Sequence, residues 1–155
     1  MNWFISVNKT AITCLLIGLT SVSMQAQQTF QDFKKEYPDF NEVVLLDYQG
    51  YDISIENKKL KIIQNTSFES MILSENGIHN NEESFTYSEL VKLLEYDAFS
   101  VVNNNGKEKK IKVTQSAEKN SSSSSVFYDD IKERQLIFPH LETGAKKVYN
   151  YKREF

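Results

Sequence analysis

From Glu42 onward the chain alternates apolar and polar residues with a period of two. Val43-Val-Leu-Leu-Asp-Tyr48 is an apolar run of strand length, after which Tyr51, Ile53 and Ile55 alternate with Asp52, Ser54 and Glu56. The alternation resumes beyond Asn57-Lys58, with Leu60 and Ile62 set between Lys59 and Lys61. Two such runs with one apolar face each, joined by turn residues, predict a β-hairpin. Asn-Lys is a poorer tight turn than Asn-Gly, so the spacing leaves the loop type open. A second hairpin is predicted from Ala98-Phe-Ser-Val-Val102, the turn Asn103-Asn-Asn-Gly106 and the alternating run Lys110-Ile-Lys-Val-Thr114. Further strand-like segments are Val126-Phe-Tyr128, Gln135-Leu-Ile-Phe138 and Ala145-Lys-Lys-Val-Tyr-Asn-Tyr-Lys152, the last with Tyr149 and Tyr151 on one face.

Two segments follow a different period. Phe30, Phe33 and Tyr37 fall on one face of a short helix that Thr29 can cap, with Asp32 three residues on; Pro38 ends it by pushing Tyr37 out of the helical region. In Tyr87 to Tyr96, Leu90, Leu93 and Leu94 have helical spacing behind a potential Ser88 cap, so propensity predicts a second helix. Residues 74–84, rich in Asn, Glu and Ser around Gly77, read as a polar loop, and Ser121 to Ser125 as a solvated low-complexity loop. Short strands spaced by turns, with little helix, predict a mainly β domain: an antiparallel β-sandwich-like fold with a short N-terminal helix.

The first 26 residues differ in character. Met1 to Ala26 carry a single charge, Lys9, followed by an uncharged apolar run to Val22 and then the small and polar residues Ser23-Met-Gln-Ala-Gln-Gln28. That order is the one a secretory signal follows, with cleavage between Ala26 and Gln27. A membrane anchor is the alternative, but the run falls short of the about 20 apolar residues a spanning helix needs, and no Lys/Arg cluster follows it. Cys14 lies near the start of the run, not at its end where lipid attachment occurs. The expectation is a signal peptide over 1–26 and a β-rich domain over 27–155, exported to the periplasm, outer envelope or exterior, with no stable membrane span after cleavage.

Cleavage changes the chemistry available. Cys14 is the chain's one cysteine, so residues 27–155 have no thiol nucleophile, disulfide or cysteine-ligated zinc. Loss of Lys9 makes the formal net charge of −3 one unit more negative. That balance argues against a nucleic-acid partner, and the basic cluster Lys107-Glu-Lys-Lys-Ile-Lys112 reads as the solvated face of a strand. Phosphate loops, zinc-protease helices and serine elbows are missing from the sequence. His140 with Asp129 and Asp130 is the best acid–base or metal grouping on offer, and His79 stands alone in the Asn-rich stretch. No cofactor, metal ligand or catalytic residue is therefore assigned, and the 21 acidic residues single out no carboxylate pair.

Several motifs carry a family resemblance. Lys110-Ile-Lys-Val113, Ser124-Ser-Val-Phe-Tyr-Asp-Asp130, Phe138-Pro-His-Leu-Glu-Thr-Gly-Ala-Lys146 and Tyr149-Asn-Tyr151, preceded by Tyr37-Pro-Asp-Phe40 and Glu56-Asn-Lys-Lys-Leu60, resemble the domain of unknown function at the N-terminus of exported bacterial transglutaminase-like proteins. The resemblance runs roughly from Tyr37 to Tyr151. It implies a β-rich accessory or scaffold module ahead of a catalytic domain that uses Cys, His and Asp, roles that match no residue of the cysteine-free segment. It also implies that the domain continues past Phe155, that Tyr87 to Tyr96 are extended, and that Ala145 to Lys152 form an unpaired aromatic edge prone to association. Three functions are left: an accessory module of such a protein, partnered by its catalytic domain; an independent envelope protein that binds a glycan, peptide or protein through an aromatic face; and a small carboxylate-based hydrolase.

Overall fold

The computed structural model describes residues 29–104, 106–120 and 130–155. The elements, in chain order, are helix α1 (Phe30–Glu36), strands β1 (Glu42–Glu56) and β2 (Lys59–Ile72), a 3₁₀ turn (Glu75–His79), then β3 (Glu82–Tyr87), β4 (Lys92–Asn104), β5 (Lys107–Lys112), β6 (Gln115–Asn120), β7 (Lys132–Ile137) and β8 (Lys146–Glu154). They form two antiparallel sheets, one of five strands ordered β1-β2-β8-β4-β5 and one of three ordered β3-β7-β6. The predicted β-sandwich-like class is the observed one.

Both hairpins form where the period-two pattern places them. The first is longer than its apolar runs suggest, pairing from Glu42↔Ile72 to Glu56↔Lys59 with a bulge at Leu45 between Val44 and Leu46. Asn57 (φ 52°) and Lys58 (φ 64°) are both left-handed, as a type I′ turn requires. In the second hairpin β4 pairs with β5 from Phe99↔Lys112 to Asn104↔Lys107, and Gly106 takes φ 80° while its N–H donates to Asn103 Oδ1 at 2.8 Å. α1 forms as predicted. The Thr29 hydroxyl accepts from the Asp32 N–H, and the Asp32 carboxylate accepts from the Thr29 N–H at 2.8 Å.

Three expectations are corrected, and one strand was not predicted. Tyr87 to Tyr96 form no helix, against propensity; Lys92 to Tyr96 are extended in β4, as the resemblance implied. Ser88 Oγ does accept from the N–H groups of Leu90 (3.2 Å) and Val91 (3.0 Å), but it caps a tight turn that leads straight into β4. A bulge at Leu94 lets Leu93 pack on the core while Leu90 and Leu94 stay exposed, so tertiary burial overrides the helical spacing. The polar stretch 74–84 is not all loop, since Glu82 already begins β3. Gln115 to Asn120, with Ala117 as their one apolar residue, form strand β6, which the alternating pattern did not predict. Finally, β8 is no edge. It lies between β2 and β4, paired along its whole length with both, so Tyr149 and Tyr151 sit mid-sheet. The expected strand at Val126 to Tyr128, Ser121 to Ser125, Asp129, and the Ala26–Gln27 cleavage site lie outside the described residues.

The core lies between the sheets. Phe85, Ala98, Leu136 and Phe138 are buried together, with Leu93, Val113, Leu141, Tyr149 and Tyr151 packed around them. Phe85 on β3 stacks on Tyr151 at 4.4 Å and Tyr149 on Phe68 at 5.0 Å, carrying the packing from the small sheet across β8 to β2 of the large one. The three-stranded sheet covers only part of that face. No helix of the described residues is long and apolar enough to cross a membrane.

Candidate binding surface

Polar side chains fasten one sheet to the other. Lys147 on β8 is only 1% exposed, and its ammonium donates to Glu42 on β1 (2.9 Å), to Glu83 on β3 and to the Asn80 carbonyl (3.0 Å). A buried ammonium needs such partners to offset its lost hydration. At the other end Arg153 donates to Gln64 Oε1 (2.8 Å) and to the Thr86 carbonyl (2.7 Å). A third group is hydrogen-bonded within the three-stranded sheet, Arg134 donating to Glu118 (2.7 Å) and to the Tyr87 hydroxyl (3.0 Å), and reaches the large sheet through the guanidinium, 5.5 Å from the Tyr96 ring centre. The Tyr87 hydroxyl bonded to Glu118, reinforced by Lys132, holds that carboxyl below its ordinary value. Burial, and then the Glu83 carboxylate, push the Tyr149 phenol well above its own. These groups are occupied with one another, which marks them as joints between layers.

The outer face of the five-stranded sheet is different. Helix α1 covers one end of it, where the Phe30 ring lies on Gly144; a Cβ there would sit 3.6 Å from the ring. Towards the other end the face is open and forms a shallow groove of about 330 Å³. Register places its side chains in two rungs, Ser67–Asn150–Asp97 and Asn65–Lys152–Glu95. Lys152 is paired with Glu95 (2.6 Å) and Asn65 donates to Asp52 (2.8 Å), whereas the side chains of Ser67 and Asn150 have no hydrogen-bond partner among the described residues. Tyr48 lies on the neighbouring strand β1, opposite Ser67 and on the same face of the sheet. Its ring folds over Gly50, where a Cβ would meet the Tyr48 hydroxyl at 2.3 Å, and it remains 53% exposed. Only glycine at position 50 lets the ring lie against the sheet. Sequence reasoning gave this face no weight, because polar residues on an alternating strand read as plain solvent contact.

Of the histidine grouping, His140 and Asp130 are not brought together. Asp130 Oδ2 accepts from the Glu89 N–H before the start of β4, while His140, in a left-handed turn (φ 54°), lines a groove with Val102 and Asn103 near the end of that strand. The strand between puts them roughly 30 Å apart. His79 sits in the 3₁₀ turn, and among the described residues no three His, Cys, Asp or Glu side chains converge as a metal site would require. Lys107, Lys109, Lys110 and Lys112 lie on edge strand β5, as the solvated-face reading expected.

Comparison with known proteins places this architecture. No curated protein matches the chain. A crystal structure from Parabacteroides distasonis ATCC 8503, of a protein named as a protease candidate, superposes with a TM-score of 0.61 at 12% identity; the match covers 74% of this chain and 23% of that one. At that identity the likeness is one of fold. A family model described as a domain of unknown function with solved structure, DUF3857, matches residues 64–155, which takes in β2 from Gln64 onward and every later element. The chain belongs to that family, DUF3857.

Proposed function

We propose that the chain is a non-catalytic accessory module of an exported transglutaminase-like protein, delivered by a signal peptide cut between Ala26 and Gln27. One observation carries this reading: the chain's only cysteine, Cys14, lies inside the proposed signal, so residues 27–155 hold no thiol for a Cys-His-Asp centre. The chain corresponds to only 23% of the protease candidate whose fold it shares, which suits a module working beside other domains. The mature chain is expected to leave ammonia release from a glutaminyl peptide, with or without an acceptor amine, at the buffer rate. Turnover that persists through repurification and vanishes with a single side-chain substitution rejects the reading. The intact mass of the protein recovered from the periplasm should match a chain that begins at Gln27, as the free amine or its pyroglutamyl form.

A second reading, that the module binds a neutral oligosaccharide on its outer face, is favoured by the uncommitted side chains of Ser67 and Asn150 in the groove and by the exposed Tyr48 ring on the same face of the adjoining strand β1. An aromatic plane next to uncommitted hydroxyl and amide groups matches the alternating apolar and hydroxyl faces of a sugar ring. Titration with neutral oligosaccharides should shift the amide resonances of residues 48–50, 65–67 and 150–152. Shifts confined to any other part of the chain reject it.

A further inference from the structure

We infer that strand β1 is a docking edge, which takes up an extended, basic segment of another polypeptide as a sixth strand of the large sheet. This inference does not depend on either reading of function above.

An edge strand presents a row of unpaired N–H and C=O groups, and proteins ordinarily protect such rows with short strands, lysines or proline. The other edges here follow that rule. β5, β3 and β6 have six residues each, and β5 carries four lysines. β1 breaks it, with fifteen residues and no Lys, Arg or Pro, and nothing among the described residues pairs with its outer side. The free groups can be placed. The two-residue turn makes Glu56 and Lys59 the first hydrogen-bonded pair, so alternation turns the N–H and C=O of Ile55, Ile53, Tyr51, Gln49 and Asp47 away from β2. Asp47 to Ile55 span roughly 27 Å, room for a strand of about nine residues.

Side chains define what fits. Beyond Ile63, where β8 stops pairing with β2, the hairpin projects as a two-stranded arm. Ile53, Ile55 and Leu60 share one face of this arm and are 68%, 78% and 63% exposed. Seen from solvent they continue Tyr51 into an apolar strip that an added strand would extend with its own alternate side chains. The charges on β1 are all negative: Glu42, Asp47, Asp52 and Glu56. Glu42 and Glu56 have internal partners in Lys147 and Lys61, whereas Asp47 and Asp52 make no ion pair among the described residues. A second copy is a poor occupant. Antiparallel pairing of two β1 strands about Gln49 sets Glu42 opposite Glu56 and brings eight carboxylates to one seam. Alternating apolar residues with Lys or Arg complement the edge instead.

The test uses the mature chain and a fluorescent peptide of about ten residues alternating valine and lysine. Saturable binding is expected, with slowed hydrogen exchange at the amides of Gln49, Tyr51, Ile53 and Ile55, and at least a tenfold loss when glutamate replaces lysine in the peptide. In the Ile53→Pro variant the imide nitrogen replaces an N–H that faces away from β2, so the hairpin survives and peptide binding falls at least tenfold. The Asp47→Asn/Asp52→Asn variant should lose most of the preference for lysine over glutamate. The inference is overturned if the peptide leaves these amides unprotected, or if Ile53→Pro binds as tightly as the parent. It is equally overturned if the amides are already protected without peptide, in a monomer by the chain's own residues or in a dimer by a second copy.

Discussion

Replacing Lys147 by methionine keeps the length and most of the apolar stem of the side chain but removes the ammonium that joins β8, β1 and β3. Three donors are lost at once, to Glu42, Glu83 and the Asn80 carbonyl. Removing one partner of a buried ion pair costs about 3–5 kcal/mol, because the charge left behind has neither its partner nor full hydration. The carboxylates of Glu42 and Glu83 retain 19% and 23% of their exposure, so water reaches them in part. We therefore expect a loss of about 2–3 kcal/mol. At about 3–4 °C per kcal/mol for a chain of this length, Tm falls by about 8 °C. Urea unfolding followed by circular dichroism measures the change, read from the midpoint at constant m. Adding Glu42→Gln and Glu83→Gln to Lys147→Met should return at least half of the loss, since no buried charge is then stranded. If Lys147→Met lies within about 0.5 kcal/mol of the parent, the triad is no fastener and the reasoning is wrong.

Three further outcomes are expected. Lys58→Gly relieves a left-handed backbone at the first hairpin turn and should stabilise the chain by about 0.5–1 kcal/mol, seen as a rise in the urea midpoint. Gly50→Ala should change stability little, because only the flexible Tyr48 side chain must give way, yet the ring must leave the sheet; the Tyr48 ring protons would report it by shifting towards random-coil values. The folded Tyr149 phenol titrates above the unfolded value near 10, so folding favours the protonated form. Its contribution is complete below about pH 10 and is lost as pH rises from there towards the folded value, by at most about 1.4 kcal/mol per pH unit. Tyr149→Phe should flatten the alkaline limb of a stability–pH curve, and an unchanged limb would count against the burial argument.

What the sequence made legible is what local pattern controls. Ile53 and Ile55 opposite Ile62 and Leu60 could be read from a period of two, and Thr29 with Asp32 from capping chemistry. The order of strands could not, because no local signal says that Lys146 to Glu154 will insert between β2 and β4. The aromatic pair Tyr149 and Tyr151 looks the same on an edge as in the middle of a sheet. β6 escaped notice since Gln115-Ser-Ala-Glu-Lys-Asn120 is held by backbone pairing to β7 with almost no apolar burial of its own. The Leu90, Leu93 and Leu94 triplet misled because one bulge suffices to turn helical spacing into a strand with a single buried leucine. Of the binding surface, the exposed apolar arm was visible as residues but not as an edge, since which strand lies outermost is again a matter of sheet order.

The central place of β8 also sets a sequence of events in time. The β1–β2 and β4–β5 hairpins close over short separations and can form as soon as their residues are free. The large sheet, by contrast, cannot knit until residues 146–154 arrive to bridge them, at contacts such as Ile63↔Glu154 that lie far apart along the chain. Such late, long-range closure makes for slow folding, in the millisecond-to-second range typical of non-local β topologies. Until it happens, β2 and β4 are themselves open edges. A nascent chain thus passes through a stage in which the large sheet has four open edges where the native sheet has two, and holding that species apart is work for a chaperone.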